Sequence, residues 1–340
     1  MSFHSLAGLG WSARFARQLT GDETPARISA IHRDRIEALS PQGPLTLRCA
    51  DTGLLAVGDW VVHDGARVTR CLDRATAVHR RAAGQPAHDQ LIAANVDTLA
   101  IVTSCNADFN AARLERYLAV ALAAGALPLV VLTKADLVPD AESWRRQAER
   151  LSPLLTALAV DATDPEDVAR LAPWCRDGQT LALVGSSGVG KTTLQNALTG
   201  DAAATQGIRE DDAKGRHTTT ARALRPTRFG GWLIDTPGMR ELGLAGAAEG
   251  IDTLFEDVAD LAARCRFADC RHEAEPGCAV QAALAEGRLD PGRLARWEKL
   301  KREDRHNSES LHQAHDRQRR TDRLYDQGRA RSAAKRRGWD

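Results

Sequence analysis

The chain reads as a multidomain protein in three parts: an N-terminal β-barrel or sandwich, a central α/β domain with a parallel sheet, and a C-terminal, mostly helical region with a metal site. Three observations predict this. Short β-type stretches (Ile28 to Ile31, Leu45 to Leu47, Leu54 to Val62, Arg67 to Leu72) are separated by Pro41, Gly43, Gly53, Gly58 and Asp64-Gly65. From Asp97 onward, buried-strand patterns alternate with amphipathic helices. Between residues 265 and 278, three cysteines crowd around a histidine.

Composition bounds these parts. With 340 residues, 43% apolar and 27% charged, the chain can fill two or three cores of ordinary domain size. Lys+Arg 46 against Asp+Glu 45 leaves a net charge of +1, so a nucleic acid or membrane would have to be met by a local patch. The longest apolar stretch, Leu118 to Leu132, is broken by Gly125 and Pro128 and falls short of the roughly 20 residues a membrane helix needs. The first two dozen residues scatter Arg14, Arg17 and Asp22 among apolar positions, unlike a signal peptide. Cys49, Cys71, Cys105 and Cys175 stand alone and build no disulfide scaffold. The expectation is a soluble cytoplasmic protein without membrane contact. It carries no strong oligomerisation signal and is expected to be a monomer.

The expected divisions are an arm (1–25), the barrel (26–82), the α/β domain (83–246), the metal-binding region (247–300) and a basic tail (301–340). In the α/β part, strands are predicted at Thr98 to Thr103, Leu129 to Leu132, Ala157 to Val160 and Leu181 to Val184, with another ending at Asp235. Helices are predicted at Ala111 to Ala124, Glu142 to Leu151 and Lys191 to Leu198. From residue 299 to the end there are 13 Lys and Arg against 7 Asp and Glu, a local excess of +6 that leaves the rest of the chain at −5. Such a tail is either a solvated helix or a basic arm for a phosphate backbone.

The segment Gly185-Ser186-Ser187-Gly188-Val189-Gly190-Lys191-Thr192 is a complete Walker A motif between a strand and a helix. Its glycines let backbone amides, with those of Thr192 and Thr193 in the first helical turn, approach phosphate oxygens where the helix dipole favours anions. Lys191 would reach the β and γ phosphates and Thr192 would ligate Mg²⁺. Fifty residues on, Asp235-Thr236-Pro237-Gly238 has the form of a γ-phosphate switch, Asp235 holding Mg²⁺ through water and the Gly238 amide sensing the phosphate. Between them lies Gly215-Arg216-His217-Thr218-Thr219-Thr220, in which Thr219 is the favoured further magnesium ligand. A threonine run entering the next strand is the competing reading.

Base recognition is expected from Thr133-Lys134-Ala135-Asp136. The Asp136 carboxylate can accept from both N1–H and the exocyclic amine of guanine, a donor pair adenine lacks, and the Lys134 stem would lie along the ring. The Ala162 amide in Val160-Asp161-Ala162-Thr163 is a candidate donor to the guanine oxygen. These base loops precede the phosphate loop, the reverse of the ordinary order, so the domain reads as circularly permuted. In consequence the switch after Asp235 runs straight into the C-terminal region, where γ-phosphate contacts could reposition it.

Cys265-x4-Cys270-x-His272-x5-Cys278 offers three thiolates and an imidazole, a donor set suited to one closed, structural Zn²⁺ site. A region with so small a core would draw folding energy from the metal.

These residues resemble the ribosome small subunit-dependent GTPase A family of bacteria over nearly the whole chain. The resemblance also rests on Ala56-Val57-Gly58-Asp59-Trp60-Val61, Ala93-Ala94-Asn95-Val96-Asp97 and Leu114-Glu115-Arg116-Tyr117-Leu118. It implies an N-terminal OB-fold, a central circularly permuted P-loop GTPase domain and a C-terminal zinc domain. It further implies a role in late maturation of the small ribosomal subunit, with rRNA contacts and subunit-stimulated GTP hydrolysis. Two positions depart from the family's pattern: Thr133 stands where asparagine is usual, and Asp161 where a serine usually opens the second base loop.

After the switch comes Met239, where some GTPases carry a glutamine that orients water, which a methionine cannot do. Slow intrinsic hydrolysis is therefore expected, completed by the subunit, with His217 either orienting water or being a surface-loop histidine that contacts RNA or nothing. The rival classes are a metabolic P-loop enzyme and an RNA-binding nucleotide switch with negligible hydrolysis.

Overall fold

A computed structural model describes residues 5–81, 89–153, 155–200, 222–235, 244 and 246–308. Within the arm, the short helix α1 (Ala13–Ala16) and the turn before it bury Phe15 and Leu9. Trp232 then donates its indole N–H to the Gly8 carbonyl at 2.8 Å, so residues 5–23 lie packed on the molecule.

Five strands close on themselves. β1 (Thr24–Ile31) pairs antiparallel with β2 (Arg35–Ser40) and with β4 (Trp60–His63). β2 pairs with β3 (Gly43–Arg48), and β4 with β5 (Val68–Cys71). A parallel bridge between Arg48 and Arg67, with the Arg48 N–H donating to the Ala66 carbonyl at 2.9 Å, joins β3 to β5 and completes the circuit. Ile28, Ile36, Leu47 and Val61 fill the inside because strand side chains alternate between faces. The expected strand from Leu54 begins only at Trp60, since the Asp59 carboxylate accepts the Ala56 N–H at 2.8 Å and holds the preceding residues in a turn. β2 escapes sequence reading because Arg, Glu, Ala and Leu favour helix, and only pairing on both sides overrides that preference.

A hairpin of β6 (Ala77–Arg81) and β7 (Asp89–Ala94) leads into the α/β part. There β10 (Thr156–Ala159), β9 (Leu127–Thr133), β8 (Thr98–Ser104), β11 (Thr180–Val184) and β13 (Trp232–Asp235) lie in that order, all parallel. The expected all-parallel sheet is corrected at its edge. β12 (Ala223–Pro226) runs antiparallel to β13 and pairs Ala223 with Ala30 of β1, so one mixed sheet continues into the barrel. A connection of only five residues between β12 and β13 permits nothing but a hairpin. Helices α2 (Ala111–Ala123), α3 (Ala141–Glu149), α4 (Pro165–Ala169) and α5 (Lys191–Thr199) make the crossovers.

The C-terminal part contributes α6 (Ala248–Leu254), α7 (Glu256–Ala263), α8 (Ala279–Ala285) and α9 (residues 291–308). A Cβ on Gly250 would come within 2.1 Å of the Ala119 carbonyl, so glycine is what lets α6 lie against α2. Glu115 of α2, fully buried, accepts from Arg296 Nε at 3.0 Å and lies 3.9 Å from Arg293. Asp304 accepts the Ala247 N–H at 2.8 Å and Asn307 donates to the Leu244 carbonyl at 2.6 Å. Residues 301–308, expected in the tail on charge alone, thus form the packed end of α9. Among the described residues no helix is long and apolar enough to cross a membrane.

Candidate functional site

The phosphate loop leaves the buried strand β11 and enters α5 through Gly190, whose φ of 87° places it in the left-handed region. A Cβ there would sit 3.3 Å from Thr133 Oγ1. Ser187 and Gly188 are exposed, Ser186 is half-buried, and Thr192 opens to solvent in the first turn of α5. Thr193, on the next position of that turn, is half-buried. Lys191 Nζ folds back on its own loop, donating to the Gly185 carbonyl at 2.8 Å and to the Ser186 carbonyl. The loop is therefore already closed around its ammonium group, with the helix N-terminus behind it.

Thr133 ends β9 completely buried. Its hydroxyl bridges two carbonyls, Val189 of the phosphate loop at 2.5 Å and Thr103 of β8 at 3.1 Å. Lys134 follows with φ 59° and donates from Nζ to the Gly188 carbonyl at 2.9 Å. Asp136 lies in a short 3₁₀ turn, Ala135–Leu137, close enough that its charge adds to the burial that raises the neighbouring Cys105 thiol to about 11.

The second base loop is tied to the first, since the Ala135 N–H donates to the Val160 carbonyl at 3.3 Å. Asp161 closes this loop on itself: its Oδ1 accepts from the Thr163 hydroxyl at 2.7 Å and the Thr163 N–H at 2.8 Å. Those hydrogen bonds hold its carboxyl below the usual range. The Asp161 N–H in turn donates to Asp167 on α4 at 2.8 Å, and Ala162 is buried beside it. Asp167 went unnoticed in the sequence, although Asp164-Pro165 is a helix-start signal that placed α4 within reach: Asp164 caps the helix and proline takes its first position.

Register brings the switch strand beside the phosphate loop. Thr180, Leu181 and Ala182 of β11 face Trp232, Leu233 and Ile234 of β13, so β13 ends at Asp235 opposite Leu183, two residues before the loop begins at Gly185. The Asp235 side chain, Thr219, His217 and Gly238 lie outside the described residues.

The predicted metal ligands converge. The four donor atoms of Cys265, Cys270, His272 and Cys278 lie within 4.8 Å of one another. Cys265 Sγ and Cys278 Sγ are 3.8 Å apart, and each is 3.6 Å from His272 Nδ1. A tetrahedral ion with Zn–S near 2.3 Å requires S···S separations of about 3.8 Å, so the donor set fits zinc. Glu275 organises the loop between ligands by accepting the N–H groups of Arg271, Glu273 and Ala274 at 2.8 to 3.1 Å. Gln281 donates to the His272 carbonyl, and Trp297 of α9 packs on the imidazole at 5.9 Å between centroids.

The profile described as RsgA GTPase matches residues 71–245. A Mesorhizobium japonicum protein named small ribosomal subunit biogenesis GTPase RsgA is 54% identical over 316 residues, 89% of this chain and 91% of its own. The chain belongs to the RsgA GTPase family. A Vibrio vulnificus relative, named small ribosomal subunit biogenesis GTPase RsgA 2, is 46% identical over 95% of this chain and 94% of its own. Among solved structures, YjeQ from Thermotoga maritima matches with a TM-score of 0.61 at 23% identity, covering 82% of this chain and 97% of that one. YloQ, a circularly permuted GTPase, matches with a TM-score of 0.59 at 22% identity over 82% of this chain and 94% of that one. Both share the fold, and the permuted order named for YloQ is the order seen here, in which the loops at 133 and 160 precede the loop at 185.

Proposed function

We propose that the chain is a GTPase of late small (30S) ribosomal subunit maturation, hydrolysing GTP to GDP and phosphate when the subunit stimulates it. The rRNA would be bound through the N-terminal barrel and the zinc region. The observation that carries the reading is the fastening of the base loop to the phosphate loop, by Thr133 on Val189 and Lys134 on Gly188. A guanine-reading carboxylate, Asp136, is thereby held at a set distance from a phosphate cradle. The names of the relatives support the choice of subunit. The circuit β1-β2-β3-β5-β4 supports an OB-fold in the barrel. The divisions at 25, 82 and 246 belong to the same reading, as do a cytoplasmic location and a monomeric state, whereas α9 carries the C-terminal region past the expected boundary at 300 to residue 308.

In this proposal Gly185 to Thr193 present backbone amides to the phosphates. Lys191 exchanges its loop carbonyls for β and γ oxygens, and Asp136 with the Ala162 amide reads guanine. Mg²⁺ would be held by Thr192, Thr219 and Asp235, and when bound it neutralises phosphate charge. The Gly238 amide senses the γ-phosphate, and His217 is the candidate to orient water. The zinc site is structural, because four protein donors leave no open position.

The test is the hydrolysis rate of GTP, with ATP as control, in the presence and absence of purified small subunits. Strong stimulation confined to GTP is expected. A rate indifferent to subunits would overturn the ribosomal reading, and hydrolysis of ATP at equal rate would overturn the role of Asp136. Turnover that needs no macromolecule favours the metabolic P-loop enzyme. Single-turnover hydrolysis that stays negligible even with subunits favours the passive switch.

A further inference from the structure

The second base loop is tied down in a way that leaves one donor over. β10 ends at Ala159 and α4 begins at Pro165, and every backbone N–H between them except one has an acceptor. The Val160 N–H donates to the Leu132 carbonyl at 2.9 Å and the Asp161 N–H to Asp167 Oδ2 at 2.8 Å. The Thr163 N–H donates to Asp161 Oδ1 at 2.8 Å, and the Asp164 N–H to the Asp161 carbonyl at 3.2 Å. Among the described residues the N–H of Ala162, a buried residue, has no acceptor. Backbone donors in such places are paired as a rule, so this one is left for an acceptor from outside the chain.

The direction of that donor is fixed. In a trans peptide the carbonyl and the N–H point opposite ways, and the Asp161 carbonyl, in the same peptide unit as the Ala162 N–H, is turned toward Asp164, the cap of α4. The Ala162 N–H therefore points away from α4. The chain just before it is held by Asp167 and Arg170. Asp167 Oδ1 accepts from Arg170 Nη1 at 3.0 Å, and the same nitrogen donates to the Ala159 carbonyl at 2.9 Å, so one turn of α4 grips the backbone on both sides of Val160. The two side chains are 30% and 46% exposed, and an ion pair that solvent reaches adds little stability. Their contribution is to the geometry of the loop.

We infer that Asp167 is a positioning residue for base selection, setting the peptide from which the Ala162 N–H meets the oxygen at position 6 of guanine. This rests on the guanine reading proposed above and adds the residue that enforces it. At position 6 guanine offers an acceptor and adenine an amine, so a fixed N–H binds the one and faces the other donor to donor. An N–H free to swing loses both effects. The Asp161 carboxylate is taken up by Thr163, which leaves Asp167 as the acceptor that holds the Asp161 backbone. Asp136 reads a different edge of the base, N1–H and the exocyclic amine, so base analogues separate the two contacts.

The experiment measures the affinity of full-length protein for GDP, 6-thio-GDP, IDP and ADP by competition against a fluorescent GDP. 6-thio-GDP keeps N1–H and the exocyclic amine but carries sulfur, a weaker acceptor, at position 6. IDP keeps the oxygen and lacks the amine. Wild type should prefer GDP over 6-thio-GDP by about threefold to tenfold, the worth of one hydrogen bond. Asp167→Ala should bring that ratio close to unity while the preference for GDP over IDP stays at the wild-type value. Asp167→Asn, which keeps an oxygen for the Asp161 N–H, should retain most of the ratio. Asp167→Ser, polar but too short to reach that N–H, repeats the test should Asp167→Ala fail to fold. Two ratios that fall together would mean a general loosening of the site and would overturn the inference, as would an Asp167→Ala protein that discriminates like wild type. A wild type that holds GDP no better than ADP would overturn the guanine reading itself, and the inference with it.

Discussion

At Thr133 a hydroxyl takes the place of the amide that the family's base-recognition pattern usually carries, and it keeps the fastening to neighbouring loops by bridging Val189 and Thr103. Thr133→Ala removes the one hydroxyl proton that fastens β9 to the Val189 carbonyl of the phosphate loop, at a cost of about 1 to 2 kcal/mol. Guanine nucleotide binding should weaken about tenfold, read by titration with a fluorescent GDP, and Thr133→Ser should retain most of the affinity. Asp161 is a second repair: its carboxylate folds the second base loop through Thr163, so a serine is not needed there. Glu23 shows a pH-sensitive contact. Its carboxylate, held down to about 2 chiefly by Arg70 and by the Thr20 N–H, ties the arm to β5. A carboxyl depressed on folding stabilises above its ordinary value of 4.5 and loses that contribution as pH falls toward 2. Glu23→Gln should therefore flatten the decline of melting temperature across that window and leave the neutral range less stable than wild type.

The metal loop and α9 behave as coupled elements. Cys265 to Cys278 fold around their donor atoms with Glu275 as the internal cap, and Trp297 of α9 covers His272. One zinc per chain is expected on elemental analysis. Removing it with a strong chelator should expose residues 264–278 to proteolysis while the nucleotide site still binds GDP. Metal content near zero after gentle purification would count against the site. The ligand spacing made this element legible in the sequence. The clamp that α9 places on α2, Arg296 and Arg293 on buried Glu115, was not legible, because its partners lie about 180 residues apart and neither end carries a local pattern.

Across the whole molecule, Arg27 is the junction. It is buried on β1, donating to the Leu9 carbonyl at 2.7 Å, the Asn95 carbonyl at 3.1 Å and the Thr180 hydroxyl at 2.7 Å. Burial lowers its pKa to about 10, while the charges of Asp97 and Asp59 oppose the shift. One guanidinium thus joins the arm, the barrel, the segment before β8 and the strand that feeds the phosphate loop. Arg27→Met removes the donor shared by the Leu9 and Asn95 carbonyls and the Thr180 hydroxyl and should cost about 1 to 3 kcal/mol, read as a lower midpoint in chemical denaturation. Further along the chain, Leu244 and Ala247 are held by Asn307 and Asp304 of α9.

The chemistry was local and could be read along the chain. A phosphate cradle needs glycines, a lysine and a threonine within eight residues of one strand–helix turn, and a zinc cage needs four donors within fourteen, so composition and spacing carry both. The strand–helix alternation was legible for the same reason, since periodicity is set by which face of each element is buried. Closure of the barrel at Arg48 and Arg67, continuation of its sheet through Ala30 and Ala223, and the clamps at Arg27, Glu115 and Thr133 are pairings between distant residues. No periodicity encodes such a pairing. It emerges only when packing brings a buried donor to the acceptor that desolvation obliges it to find.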